Sequence, residues 1–167
     1  MRNWFAKQAR LKPVFNLFFG MRYHPNMYLD VAFLAYAQAV ETYDYRRRQK
    51  PGNKTLAQRM ADVLSECRTV SKRIVGMHPA DQERFIDAFR TSRNYYTHYN
   101  AKLEKKASRG AALLLLSIQL QAITEMSLLR ELGFPCHAID KILERVRRYE
   151  EIEHFKAIAA EEEAGAP

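Results

Sequence analysis

Over residues 26 to 48 an apolar side chain returns at nearly every helical turn (Tyr28, Leu29, Ala32, Phe33, Tyr36, Val40, Tyr43), and no Gly or Pro intervenes before Pro51-Gly52. A period of three to four over that length belongs to a helix, because a half-buried strand would alternate its faces every second residue. The pattern continues in Leu56, Met60, Val63, Leu64, Cys67, Val70 and Ile74, which predicts one amphipathic helix closing at Gly76, a residue suited to a left-handed cap. Pro79 restarts the chain. Asp81 and Glu83 then favour a helix N-terminus, and Phe85, Ile86 and Phe89 give the buried stripe of a third helix running toward Tyr99. The charged residues 102 to 110 read as a loop. A fourth helix is expected over about residues 111 to 132, stopped by Gly133, and a fifth after Pro135 with Ile139, Ile142, Leu143, Val146 and Tyr149 inward. Strand-like alternation is absent. The fold class that follows is all-α, an antiparallel bundle of four to five main helices.

A chain of 167 residues fits one domain. Residues 1 to 25 are too apolar for a free tail (Trp4, Phe5, Val14, Phe15, Leu17, Phe18, Phe19), yet Pro13 and Gly20 interrupt them. They are expected to pack on the bundle or on a partner. Residues 26 to 155 form the helical domain, and residues 156 to 167 an acidic tail expected to fray. Cys67 and Cys136 lie far apart without a CxxC pair, so reduced thiols in a cytoplasmic protein are the expectation. No zinc ligand set is present and no cofactor is expected. The longest uninterrupted apolar run, residues 111 to 116, is too short for a bilayer, while residues 112 to 132 suit a central bundle helix. The expectation is a soluble chain with no membrane partner.

The net charge of +8 conceals an asymmetry, since residues 150 to 167 hold six Glu and one Lys. Of 27 basic and 19 acidic residues, that leaves 26 against 13, a net +13 on residues 1 to 149. Such a body attracts polyanions, nucleic acid before an acidic membrane.

Within "TSRNYYTHYN", residues 91 to 100, an Arg is followed by Asn and, five residues after the Arg, by His. With 17 Arg and 5 His in the chain the spacing alone carries little information, since Arg73 and His78, Arg130 and His137, and Arg147 or Arg148 with His154 also satisfy it. The first two pairs cross helix breaks at Gly76 and Gly133. The third lies among Glu150, Glu151 and Glu153, which repel a phosphate. Arg93 and His98 alone combine continuous helix with no intervening acid. At about 100° per residue, Asn94 and His98 share a face, as do Arg93 and Thr97, whereas Arg93 and His98 diverge by about 140°. These residue types suffice for cleaving RNA without a metal. His accepts the 2′-OH proton or protonates the leaving 5′-oxygen, Arg stabilises the phosphorane, and Asn orients the phosphate or the Arg. One His cannot easily be acid and base at once, so two copies meeting across a symmetric dimer would supply both.

"RNYYTHYN", with "AYAQAVETYDYRRR" (residues 35 to 48) and "LLRELGFP" (residues 128 to 135), resembles the HEPN superfamily, and more narrowly the ApeA-like HEPN domains of bacterial antiphage proteins. The likeness covers roughly residues 15 to 150. It implies a metal-independent endoribonuclease of antiviral defence, a toxin or abortive-infection effector, acting as a homodimer with a composite site on tRNA or other cellular RNA. It places Arg93, Asn94 and His98 at the catalytic positions, with Glu41, Tyr96 and Thr97 in support and Glu41 as a candidate holder of Arg93. A sensor domain on the N-terminal side, or an antitoxin, is the regulatory partner implied.

Arg46, Arg47, Arg48, Lys102, Lys105 and Lys106 are the candidates for gripping an RNA backbone, against the plainer reading of solvated charge. Tyr95, Tyr96 and Tyr99 can stack on bases, but at helical spacing at least two are expected to pack. Two other functions stay open: a catalytically silent HEPN module for dimerisation or RNA binding within a larger defence protein, and a helical bundle holding a small ligand.

Overall fold

The computed structural model describes residues 2–24, 26–47 and 52–165, with residues 2–6 described for their backbone alone. Eight helices and no strand occur among the described residues: α1 (Arg2–Tyr23), α2 (Leu29–Arg47), α3 (Leu56–Ser65), α4 (Arg68–Val75), α5 (Pro79–His98), α6 (Gly110–Glu131), α7 (Cys136–Arg145) and α8 (Arg148–Gly165). The chain is an all-α bundle. Two of the five expected helices are each divided in two, which accounts for most of the difference in number.

The first division falls at Glu66 and Cys67. Cys67 takes φ −142° and ψ 65°, outside helical geometry, but the two-residue step keeps the apolar phase, so Val63, Leu64, Val70 and Ile74 still reach one core. The second division falls at Arg147, whose φ of 57° lies in the left-handed region and turns the chain between α7 and α8. Periodicity sees neither break, because the same faces stay inward on both sides.

α6 sits at the centre and packs against each of the other seven helices among the described residues. Leu120, Ala122, Ile123 and Met126 are wholly buried. A helix apolar on every face belongs in a core or a membrane. Here α6 is long and apolar enough to cross a bilayer by composition, but 72% of its most apolar window is already covered by the other helices.

α1 differs from expectation in running unbroken through Pro13 and Gly20. Proline inside a helix removes one backbone donor and crowds the preceding turn. Burial of Leu11, Val14 and Phe18 in the common core offsets that loss. Lys7 and Arg10 also reach the Glu131 carboxylate at 2.7 and 3.5 Å, which ties α1 to the end of α6.

Among the described residues the acidic tail is helical rather than frayed, because α8 continues to Gly165, and residues 166–167 lie outside the described residues. Ile152 and Ala159 enter the protein interior, and Glu162 Oε2 accepts the Ala111 N–H at 2.9 Å. That carboxylate satisfies a donor at the positive end of α6. Gly110 takes φ 50°, which L side chains rarely adopt, and a Cβ there would stand 2.7 Å from Glu162 Oε2 and push that carboxylate aside.

The expected reduced thiols are a disulfide instead. Cys67 and Cys136 are bonded at 2.04 Å and join the start of α4 to the first residue of α7. Their 69-residue separation hides the proximity, which arises only when both helices pack on α6.

α3 is a short helix with a complete N-terminal cap. Gln58 N donates to Thr55 Oγ1 at 3.3 Å, and Thr55 N donates to Gln58 Oε1 at 2.9 Å. Thr55→Ala removes one arm of this reciprocal pair and is expected to cost about 1 kcal/mol of stability. Urea unfolding with an unchanged slope and a lowered midpoint checks it.

Candidate functional site

Two helices make the site. On α2, Gln38, Glu41, Thr42 and Tyr45 recur at three- and four-residue intervals and form a polar stripe on a helix that otherwise buries Phe33, Tyr36, Ala37, Val40 and Tyr43. On α5, Arg93, Tyr96 and Thr97 face that stripe, while Phe85 and Phe89 anchor the helix in the core. The two stripes bound a cleft of about 730 Å³, which Arg46 and the α3 residue Arg59 also line.

The organising contact is between Glu41 and Arg93. Arg93 Nε donates to Glu41 Oε1 at 2.8 Å and Nη2 donates to Oε2 at 3.2 Å, so the planar guanidinium is held at two points. A two-point pair fixes orientation as well as position. Both side chains remain partly exposed to the cleft, at 30% and 25%. Thr97 Oγ1 donates to the Arg93 carbonyl oxygen at 2.7 Å and so belongs to the backbone of its own helix. Tyr96 donates its O–H to the Ser108 carbonyl at 2.9 Å and meets Phe33 edge-on at 5.8 Å, which pins α5 both to α2 and to the loop after it. Burial raises the Tyr96 phenol above its ordinary range, with Arg109 opposing that shift.

Asn94 and His98 do not line this cleft. They lie on another face of α5, where His98 is exposed in the last turn and neither side chain makes a hydrogen bond among the described residues. The helix ends at Tyr99, whose φ of 46° is left-handed. The structure thus places Glu41, Arg93, Tyr96, Thr97 and Arg46 together and sets Asn94 and His98 beside them around the helix. The divergence follows from helical phase, since five residues turn about 140° past a full circle.

The tyrosines form an aromatic ladder. Tyr95 meets Tyr96 at 4.9 Å and Tyr99 at 5.8 Å, and Arg109 lies over Tyr95 at 5.8 Å. Tyr99 stays 64% exposed.

The other basic candidates scatter. Arg47 turns from the cleft into an ion pair with Glu66 and approaches Glu131 at 3.8 Å, beside the Tyr43 phenol. Burial and the neighbouring Glu131 carboxylate raise that phenol far above its ordinary value. Lys105 and Lys106 line a separate groove with Glu83, Asp87, Glu162 and Glu163, an acidic setting that sequence order does not reveal. Lys102 is exposed in the turn after α5, and Arg48 falls outside the described residues.

Sequence reasoning missed Arg59. Its Nη1 donates to Asp44 Oδ2 at 3.2 Å, and Asp44 is fully buried. No local pattern flags it, because α3 comes beside α2 only in the packed structure. Gln38 and Thr42 had a signal, a polar stripe at helical spacing within a mostly buried helix. No group of three or more His, Cys, Asp or Glu side chains placed to hold a metal occurs among the described residues.

The family model described as Apea-like HEPN matches residues 34–137, a span that begins on α2 and takes in both walls of the cleft. No curated protein and no solved structure matches the chain.

Proposed function

Because the chain belongs to the Apea-like HEPN family, we propose that it is a metal-independent RNA endonuclease of antiviral defence whose centre is Arg93, Asn94 and His98. The observation that carries this reading is the two-point Glu41–Arg93 pair at the wall of an open cleft, on the same helix as Asn94 and His98. A guanidinium set in advance toward a cleft stabilises charge that develops on a phosphate without having to reorganise when the reaction occurs.

In the proposed reaction an imidazole removes the ribose 2′-OH proton and the 2′-oxygen attacks phosphorus. Arg93 stabilises the phosphorane, the bond to the 5′-oxygen breaks, and a second imidazole protonates that leaving oxygen. The products are a 2′,3′-cyclic phosphate and a 5′-hydroxyl. His98 stands apart from the Arg93 cleft in one chain, which supports a composite site in which a second copy brings its His98 to the phosphate held by Arg93.

The test is incubation of the purified chain with transfer RNA and a sequence-matched DNA, with EDTA present. RNA should be cut to cyclic-phosphate ends and DNA spared, since DNA has no 2′-OH. Intact RNA after incubation with a folded dimer would reject the reading.

One observation favours a second function, a silent RNA-binding or dimerisation module. Glu41 already neutralises Arg93, and no histidine lines the cleft. That module would bind RNA and release it uncut.

A further inference from the structure

The cleft has an aromatic wall that the reaction chemistry leaves unused. Phe33, Tyr36 and Tyr43 on α2 are buried, but Tyr45 on the same helix is 53% exposed and lines the cleft. Its ring is braced from α3, because the Arg59 guanidinium carbon lies 5.9 Å from the ring centroid. Arg59 is itself 17% exposed and anchored on the fully buried Asp44 at 3.2 Å. A flat ring is thus presented to solvent with a fixed cation beside it. Gln38 and Thr42 continue the same face of α2, and Arg46 follows Tyr45 directly.

These residue types match the needs of one ligand class. Single-stranded nucleic acid binds where an exposed aromatic face accepts a base and neighbouring arginines take the backbone, with the cation adding to the ring's attraction. An amide side chain such as Gln38 both donates and accepts, as the edge of an unstacked base requires. The cleft volume of about 730 Å³ lies within the range of small-ligand sites. Duplex RNA offers no free base face to Tyr45, so the arrangement selects unpaired nucleotides.

We propose that the α2–α3 wall of the cleft is a base-stacking subsite for single-stranded RNA, with an unpaired base on Tyr45 and its phosphate on Arg46, next to the Glu41–Arg93 pair. The proposal deepens the ribonuclease reading and rests on it for the identity of the polymer. It directs cutting to loops and unpaired ends.

The experiment measures fluorescence anisotropy of a labelled RNA oligonucleotide, single-stranded and as a duplex with its complement, against the full chain carrying His98→Ala so that the RNA stays intact. Adding Tyr45→Ala should weaken single-strand binding roughly 10-fold and leave duplex binding unchanged, whereas Tyr45→Trp should retain single-strand affinity. Arg59→Ala should weaken single-strand binding to a smaller extent. Circular dichroism of each variant checks folding, and the exposure of Tyr45 makes loss of fold an unexpected result. Equal single-strand affinity before and after Tyr45→Ala, or equal losses for single strand and duplex, would overturn the subsite. Failure of the parent chain to bind single-stranded RNA would overturn it as well. The ribonuclease reading fails separately. A wild-type chain that binds through Tyr45 but never cuts would keep the subsite and remove the enzyme, and cutting unaffected by Tyr45→Ala would do the reverse.

Discussion

His98→Ala is expected to lower RNA cleavage by about 10²- to 10⁴-fold, the range that a positioned general acid or base contributes. The same change should barely alter stability. His98 is exposed in the last turn of α5 and its side chain has no hydrogen-bond partner among the described residues, so truncation leaves no cavity and no stranded donor. Surface replacements of this kind usually stay within about 0.5 kcal/mol. Single-turnover cleavage and thermal unfolding measured on the same preparation separate the two effects. Mixing His98→Ala with wild type adds a sharper result. If the site is composite and draws one imidazole from each copy, the mixed dimer should be as impaired as the His98→Ala homodimer, whereas a site built within one chain would keep about half the wild-type rate. Undiminished cleavage by His98→Ala would remove this residue from the mechanism.

Glu41→Gln is expected to lower the cleavage rate by about 10- to 100-fold with little change in KM. Its carboxylate touches no substrate in the proposed reaction and acts by aiming Arg93 through the two bonds at 2.8 and 3.2 Å. An amide can accept only one of these bonds, because its NH2 group faces another donor. A misplacement of about 1 Å at a reacting centre can cost 10²-fold in rate. The pair is partly exposed, so the loss of stability should be no more than about 1 kcal/mol. Glu41→Asp keeps the charge but withdraws it by one methylene, and an intermediate rate is expected. A rise in rate on Glu41→Gln would show that the carboxylate restrains Arg93 rather than presenting it.

The bundle was legible because apolar spacing is a local property. Each of α2, α5 and α6 shows its buried side in the order of its own residues, and Gly133 and Pro79 punctuate the chain where helices end or begin. The breaks at Cys67 and Arg147 were not legible, since both preserve the apolar phase and differ from continuous helix only in backbone angles. The continuation of α8 through residues 161 to 163 was hidden for another reason. Three successive Glu look like a solvated tail until Glu162 meets the N-terminus of α6.

The sequence by itself determined the helical class of this protein and its central helix, because helix phase is written residue by residue, and it offered Arg93, Asn94 and His98 as the candidate set. Only the tertiary structure decided that Arg93 is held by Glu41, that Arg47 is spent on Glu66 while Arg59 enters the cleft, and that Cys67 meets Cys136. Each of these joins residues that are distant in sequence, and the free energy that brings them together comes from the burial of the shared apolar core rather than from any local pattern.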